Sequence, residues 1–109
     1  APAIRLSESK IDLSRVLVKK NKARHDIVIT NTGKSPLQIS KLQVFNPAVG
    51  VALKKTILQP GESTRLRVTV LKKNLGKKKR HLRILMITND PVQPKVEIDV
   101  KATSNESHN

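Results

Sequence analysis

The sequence lacks cysteine, tryptophan and tyrosine, and it contains a single aromatic residue, Phe45. Without cysteine the chain has no disulfide framework, no zinc–thiolate site and no thiol nucleophile. Modules that hold single-stranded nucleic acid stack bases on aromatic rings, and one phenylalanine cannot form such a platform. No run approaches the roughly 18 apolar residues of a membrane-spanning helix. These absences argue against a disulfide scaffold, a base-stacking module and a transmembrane chain.

Acidic residues are also scarce, with 8 Asp+Glu against 22 Lys+Arg, which gives a formal net charge of +14. Such a charge favours anionic partners and says nothing about fold. The three histidines, His25, His81 and His108, are isolated in the sequence. No nucleophile elbow, zinc-binding helix motif or phosphate-cradling loop is present. Asn89-Asp90-Pro91 could supply a calcium ligand, but turn formation explains it better. We therefore predict no enzyme, no metal and no cofactor.

The apolar residues alternate with polar residues at a period of two over most of the 109 residues, which is typical of strands with one buried face. Turn sequences rich in Gly, Pro, Asn and Asp separate these segments, and Gly33, Gly50 and Gly61 are expected to supply positive φ. We predict an all-β, antiparallel sandwich over 1–102, followed by a polar tail over 103–109. The predicted strands, about 7–8 in number, lie near 3–7, 10–17, 24–31, 36–45, 49–55, 64–71, 80–88 and 94–102.

The predicted core collects the inward residues of these strands. Leu37 and Ile39 share a parity opposite to that of Leu42 and Val44, so we predict a β-bulge near residues 40–41. The expected core members are Ile27, Ile29, Leu37, Ile39, Leu42, Val44, Val51, Leu53, Leu66, Val68, Val70, Ile84, Met86, Val96, Ile98 and Val100.

Three stretches carry a family resemblance when taken in order: IVITNTGKSPLQI, LQPGESTRLRVTV and ILMITNDPVQPKVEIDVKA. Over roughly residues 24–102 the chain resembles the bacterial "domain of unknown function 1573" family, within the Hydin and major-sperm-protein type of immunoglobulin-like domains. The resemblance implies an immunoglobulin-like sandwich, an extracytoplasmic setting in the periplasm or at the cell surface of a bacterium, and no catalytic residues. Many members carry a Cys-Gly-Cys-Thr stretch that is absent from QVFNPAVGVAL here, so no metal or redox role carries over.

The basic run LKKNLGKKKRHL is the first candidate site, and its predicted polyanion contacts are Lys72, Lys73, Lys77, Lys78, Lys79 and Arg80. The alternative is a solvated loop that keeps the domain soluble. A second run, Lys19, Lys20, Lys22 and Arg24, spreads the charge and favours weak adhesion to an anionic surface over base readout. The flanking strands could form a hairpin or cross between sheets. The resemblance favours the crossover.

The strand over 80–88 is the second candidate, because it is apolar on both faces. Leu85 and Ile87 would then face outward, either as an interface or covered by neighbouring lysine stems. Phe45 is expected to close the end of the core.

Taken together, the sequence predicts a non-catalytic interaction or structural module of a bacterial envelope or secreted protein. The alternative is a polyanion-binding module for nucleic acid, acidic polysaccharide or an anionic membrane surface. The chain begins almost directly in strand-like sequence, so we expect a piece of a longer protein. The expected partner is a protein, either a neighbouring domain or an envelope component.

Overall fold

The computed structural model describes residues 1–76 and 80–102, with the side chains of residues 80 and 81 left aside. The predicted tail over 103–109 lies outside the described residues. The elements in chain order are β1 (Ile4–Leu6), β2 (Lys10–Asp12), α1 (Ser14–Lys19), β3 (Lys22–Asn31), β4 (Leu37–Val44), β5 (Val49–Leu53), β6 (Ile57–Leu58), β7 (Ser63–Leu71), a 3-10 helix (Lys72–Asn74), β8 (Arg80–Thr88) and β9 (Lys95–Ala102).

Two sheets form the sandwich that the alternating pattern predicts. The four-stranded sheet has the order β1-β3-β7-β5, and the five-stranded sheet has the order β2-β9-β8-β4-β6. All strand pairs are antiparallel except β2 with β9, which run parallel. The consecutive long strands β7 and β8 lie in different sheets, so the expected crossover is confirmed and the hairpin is excluded.

The predicted core is buried between the sheets. Twelve of the predicted members have less than a tenth of their surface exposed, and Leu42, Val44, Val51 and Leu53 pack against them while partly buried. The predicted bulge is confirmed, because the β4–β8 register shifts between Ile39 and Lys41. The extra residue lets both apolar parities of β4 turn toward the core. Helical, short-strand and loop residues add members that alternation did not mark, among them Leu17, Leu58 and Leu75.

The predicted strand over 10–17 is wrong beyond Asp12. The Asp12 Oδ1 atom accepts the Ser14 backbone N–H at 3.0 Å, which turns the chain out of β2 and into α1. Leu13 and Leu17 then lie four residues apart on one helical face, and both are buried. The Leu17 N–H donates to the Leu13 carbonyl at 3.2 Å. A helix of six residues is too short to show a 3.6-residue period in the sequence.

Of the three glycines that were expected to have positive φ, one has it. Gly61 has φ +82°, as a tight turn requires, whereas Gly50 lies within β5. Gly33 is needed for space: a Cβ built there would lie 2.6 Å from the Ala3 nitrogen and closer still to the Ala1 carbonyl oxygen. The Gly33 turn therefore packs directly against the N-terminal backbone.

Candidate functional site

The buried polar residues in the turns of the three motif stretches form hydrogen bonds within the protein. Asn31 is fully buried, and its side chain fills all four hydrogen-bonding positions. Its Oδ1 atom accepts the N–H groups of Ala3 at 3.2 Å and Gly33 at 2.9 Å. Its Nδ2 atom donates to the carbonyls of Ser35 at 2.8 Å and Leu58 at 3.0 Å. Asn31 thus ties the N-terminal segment, its own turn and β6 together and has no capacity left for a ligand.

Asp90 serves the same purpose in the turn between β8 and β9. Its side chain is 2% exposed, and its carboxylate accepts the N–H groups of Ile4 at 2.9 Å, Val92 at 2.8 Å and Gln93 at 3.2 Å. The Ile4 hydrogen bond is the chief cause that lowers the pKa of Asp90, and burial opposes it. The turn interpretation of Asn89-Asp90-Pro91 therefore accounts for this carboxylate.

The other ionisable contacts are isolated pairs at the surface. His25 Nε2 lies 2.5 Å from Glu8 Oε2, and both side chains are more than a third exposed. Lys55 donates to Glu62, and this hydrogen bond is the main cause that lowers the pKa of Glu62. Among the side chains that the structure describes, those of residues 1–76 and 82–102, no group of three or more His, Asp or Glu could hold a metal ion.

Strand pairing brings the two basic runs to one end of the sandwich. Lys22 opens β3 opposite Leu71 at the end of β7, and the Lys72 N–H donates to the Asn21 carbonyl at 2.8 Å. The helix α1 precedes this junction and contacts β3 and β9. We call this surface the basic end. Its described cationic residues are Arg15, Lys19, Lys20, Lys22, Lys72 and Lys73.

The basic end contains an open depression of about 520 Å³, lined by Asn21, Lys22, Leu71, Lys72 and Lys73. Two of the predicted polyanion contacts, Lys72 and Lys73, therefore lie beside the second basic run. Arg80 opens β8 opposite Ala102. The predicted contacts Lys77, Lys78 and Lys79 lie outside the described residues. Polyanion binding by this run stays a prediction. That the two basic runs meet could not be read from the sequence.

The outer face of the five-stranded sheet carries the predicted apolar pair. Leu85 lies between Gln43 of β4 and Glu97 of β9, and Ile87 lies between Lys41 and Lys95. Both apolar side chains are half-buried, although they face away from the core. They form an apolar strip, Leu85 and Ile87, along β8, the middle strand of the sheet, with charged and amide side chains on the neighbouring strands.

Phe45 extends this surface and does not close the core, so the prediction for its ring is wrong. The side chain is 57% exposed, and the Arg83 guanidinium carbon lies 5.9 Å from the ring centroid. A shallow pocket of about 150 Å³ is lined by Phe45, Arg83, Leu85, Lys95 and Glu97. Ala48 and Leu75, by contrast, are buried in the core. Following the alternation of inward and outward side chains beyond the β4 bulge could have placed Phe45 on the outer face of the sheet.

Comparison with known families identifies the fold. The model of the HYDIN/CFA65/VesB-like Ig-like domain matches residues 2–103. No curated protein matches the chain.

Among solved structures, a protein of unknown function from Porphyromonas gingivalis W83 superposes with a TM-score of 0.86 at 28% identity, over 94% of this chain and 46% of that one. The VesB protease of Vibrio cholerae gives 0.71 at 13% identity, over 94% of this chain and 31% of that one. A PapD-like domain of human CEP192 gives 0.61 at 10% identity, over 96% and 87%. The chain thus spans less than half the length of the first two proteins.

Proposed function

We propose, from the premise that this chain belongs to the HYDIN/CFA65/VesB-like family of Ig-like domains, that it is a non-catalytic interaction module of a bacterial envelope or secreted protein. Within that family we assign it to the bacterial "domain of unknown function 1573" group, on the three ordered turn motifs. Its role is to dock a neighbouring domain or an envelope protein through the outer face of the five-stranded sheet.

The apolar strip is the observation that carries this proposal. Leu85 and Ile87 form an apolar centre, and Lys41, Lys95 and Glu97 surround it. An apolar centre inside a charged rim is the usual anatomy of a protein interface. Phe45 and Arg83 add residue types that are enriched at protein interfaces. The adjoining pocket of about 150 Å³ could accept one partner side chain.

The proposed envelope or secreted setting is supported by the kinds of protein whose structures are similar to this chain. They include a secreted serine protease of Vibrio cholerae and the periplasmic chaperone SfaE. Each is similar at 14% identity or less, so the likeness itself is one of fold. No helix in the described part of the chain is long and apolar enough to cross a bilayer.

Photo-crosslinking tests this function. A benzophenone amino acid placed at position 85 should crosslink one defined partner, or a neighbouring domain, in cells of the source organism. Position 92 provides the matched control, because Val92 is 85% exposed but lies in the turn after β8, away from the strip. Adding Ile87→Lys should abolish the position-85 product. Equal products from both positions, or recovery of the protein in the cytoplasmic fraction, would refute the proposal.

Polyanion binding is the second candidate function, favoured by the convergence of the two basic runs at one end of β3 and β7. It predicts retention on a heparin column, with elution at a salt concentration that falls when Lys72 and Lys73 are replaced by glutamine. Failure to be retained at low salt would exclude it.

A further inference from the structure

We infer that the basic end and helix α1 together dock onto an anionic lipid surface. This inference deepens the second candidate function, since it names the polyanion and adds α1 to the contact surface. It does not involve the apolar strip, which lies on the outer face of the five-stranded sheet.

The charge of the basic end is the first argument. Segment 13–25 contains no acidic residue, and neither does segment 63–89. The β3–β7 pairing brings these two segments side by side, with Lys22 opposite Leu71 and Arg24 opposite Thr69. Lys22, Lys72 and Lys73 also line the same depression, so their charges act on one surface. Each lysine or arginine near an anionic membrane strengthens binding by about fivefold.

Nearby acidic groups are already engaged. Asp12, which precedes α1, accepts the Ser14 N–H, and Glu8 contacts His25 on the neighbouring strand. Asp26 lies further along β3 and pairs with Arg67, whose Nε atom is 3.5 Å from Asp26 Oδ1. The six cationic side chains of the basic end outnumber these three carboxylates, so the surface keeps a net positive charge.

The exposed valines of α1 are the second argument, and they distinguish lipid from other polyanions. Leu17 is fully buried and holds the helix to the sandwich, so Arg15 and Lys19 lie on the opposite face. Val16 and Val18 lie on the two flanks, 42% and 48% exposed. Exposed apolar side chains between cationic ones are typical of segments that rest in the headgroup region of a membrane.

Nucleic acid fits this surface less well. The sequence has one aromatic residue, Phe45, which lies on β4's outer side beside Arg83, so bases have nothing to stack on at the basic end. Helix α1 has six residues and is anchored through Leu17, so it cannot enter a major groove along its length. The valines would gain nothing from contact with phosphates.

Vesicle binding tests the inference. The 109-residue protein is mixed with vesicles of phosphatidylcholine, or of phosphatidylcholine with 30% phosphatidylglycerol, and sedimented. We expect binding only to the anionic vesicles and its loss at 0.5 M NaCl. The variant K19Q/K20Q/K22Q should bind about a hundredfold more weakly, from about fivefold per charge. The control K34Q/K41Q/K95Q removes the same charge away from the basic end and should bind within about threefold of the wild type.

A valine variant separates lipid from soluble polyanions. V16S/V18S keeps every charge, and it should weaken vesicle binding by about fivefold while leaving retention on heparin unchanged. Absence of binding to anionic vesicles overturns the inference, and heparin retention in that case would leave the second candidate function standing. The inference is also overturned if K19Q/K20Q/K22Q and its control lose vesicle binding equally. Tighter binding to duplex DNA than to vesicles, with V16S/V18S unchanged in both, would identify nucleic acid as the partner instead.

Discussion

Replacing Asn31 by aspartate should test whether the first turn motif is a structural device. The change is isosteric, and one carboxylate oxygen can still accept the N–H groups of Ala3 and Gly33. The other oxygen replaces a donor and faces the carbonyls of Ser35 at 2.8 Å and Leu58 at 3.0 Å. Two donor bonds are lost and a charge is buried against two acceptors. We expect the free energy of unfolding to fall by about 3–5 kcal/mol at pH 7.

This loss should depend on pH in a defined direction. Burial and the two carbonyl oxygens raise the pKa of the introduced carboxyl above its ordinary value, because they favour the neutral form. The penalty is therefore largest at neutral pH, shrinks as pH falls below the raised pKa, where the native state takes up a proton, and is smallest below about 4, where the unfolded state is protonated too. The difference between Asn31→Asp and the wild type should narrow over that range.

Urea unfolding followed by far-ultraviolet circular dichroism is the suitable assay, since the chain has no tryptophan or tyrosine for fluorescence. With a slope of about 1.5 kcal/mol per molar urea, the midpoint should fall by about 2–3 M. Asn21→Asp is the matched control at an exposed position, and it should change stability by less than about 0.5 kcal/mol. A loss below about 1 kcal/mol for Asn31→Asp, or a loss that does not change with pH, would refute the reasoning.

Two further predictions concern the other structural turns. Asp90→Asn leaves one acceptor oxygen for three N–H groups and should cost about 2 kcal/mol at neutral pH in a thermal melt. Because the pKa of Asp90 is lowered in the folded state, its stabilising effect is present above its ordinary pKa near 4 and is lost as pH falls below it. The variant should therefore lose less stability than the wild type between pH 5 and 2, and parallel losses would contradict this account. Gly33→Ala should cost about 1–3 kcal/mol in urea, because its Cβ meets backbone atoms of the N-terminal segment. Gly50→Ala, with no atom within 4 Å of the added Cβ, should change little, and equal effects of the two substitutions would disprove the packing argument.

The long strands could be predicted because their two-residue period is a local property. The strands β3, β7, β8 and β9 lie within two residues of their predicted bounds. The bulge in β4 was also predictable, because Leu37 and Leu42 have opposite parity and only an extra residue brings both toward one core. Elements of two to six residues escape such reasoning. Helix α1 and strand β6 are shorter than the windows in which periodicity can be recognised.

The candidate surfaces, too, could be predicted from the sequence only in part. Leu85 and Ile87 could be placed on the outer face of β8 from parity alone, and the structure has them there. The meeting of the two basic runs could not be predicted, because it depends on the register of β3 against β7 across about fifty residues of intervening chain. The contact between Phe45 and Arg83 likewise depends on strand pairing, since Arg83 comes from β8, although alternation could have placed the Phe45 ring outside the core.

By itself, the sequence determined the class of fold, the inward side chains and the turn positions, because alternation and turn chemistry act over a few neighbouring residues. It also determined the large positive charge. Tertiary structure alone decided where that charge gathers, which short segments become α1 and β6, and why Asn31, Gly33 and Asp90 are needed. These outcomes depend on strand pairing and on backbone segments that approach one another from distant parts of the chain, and no local pattern records such contacts.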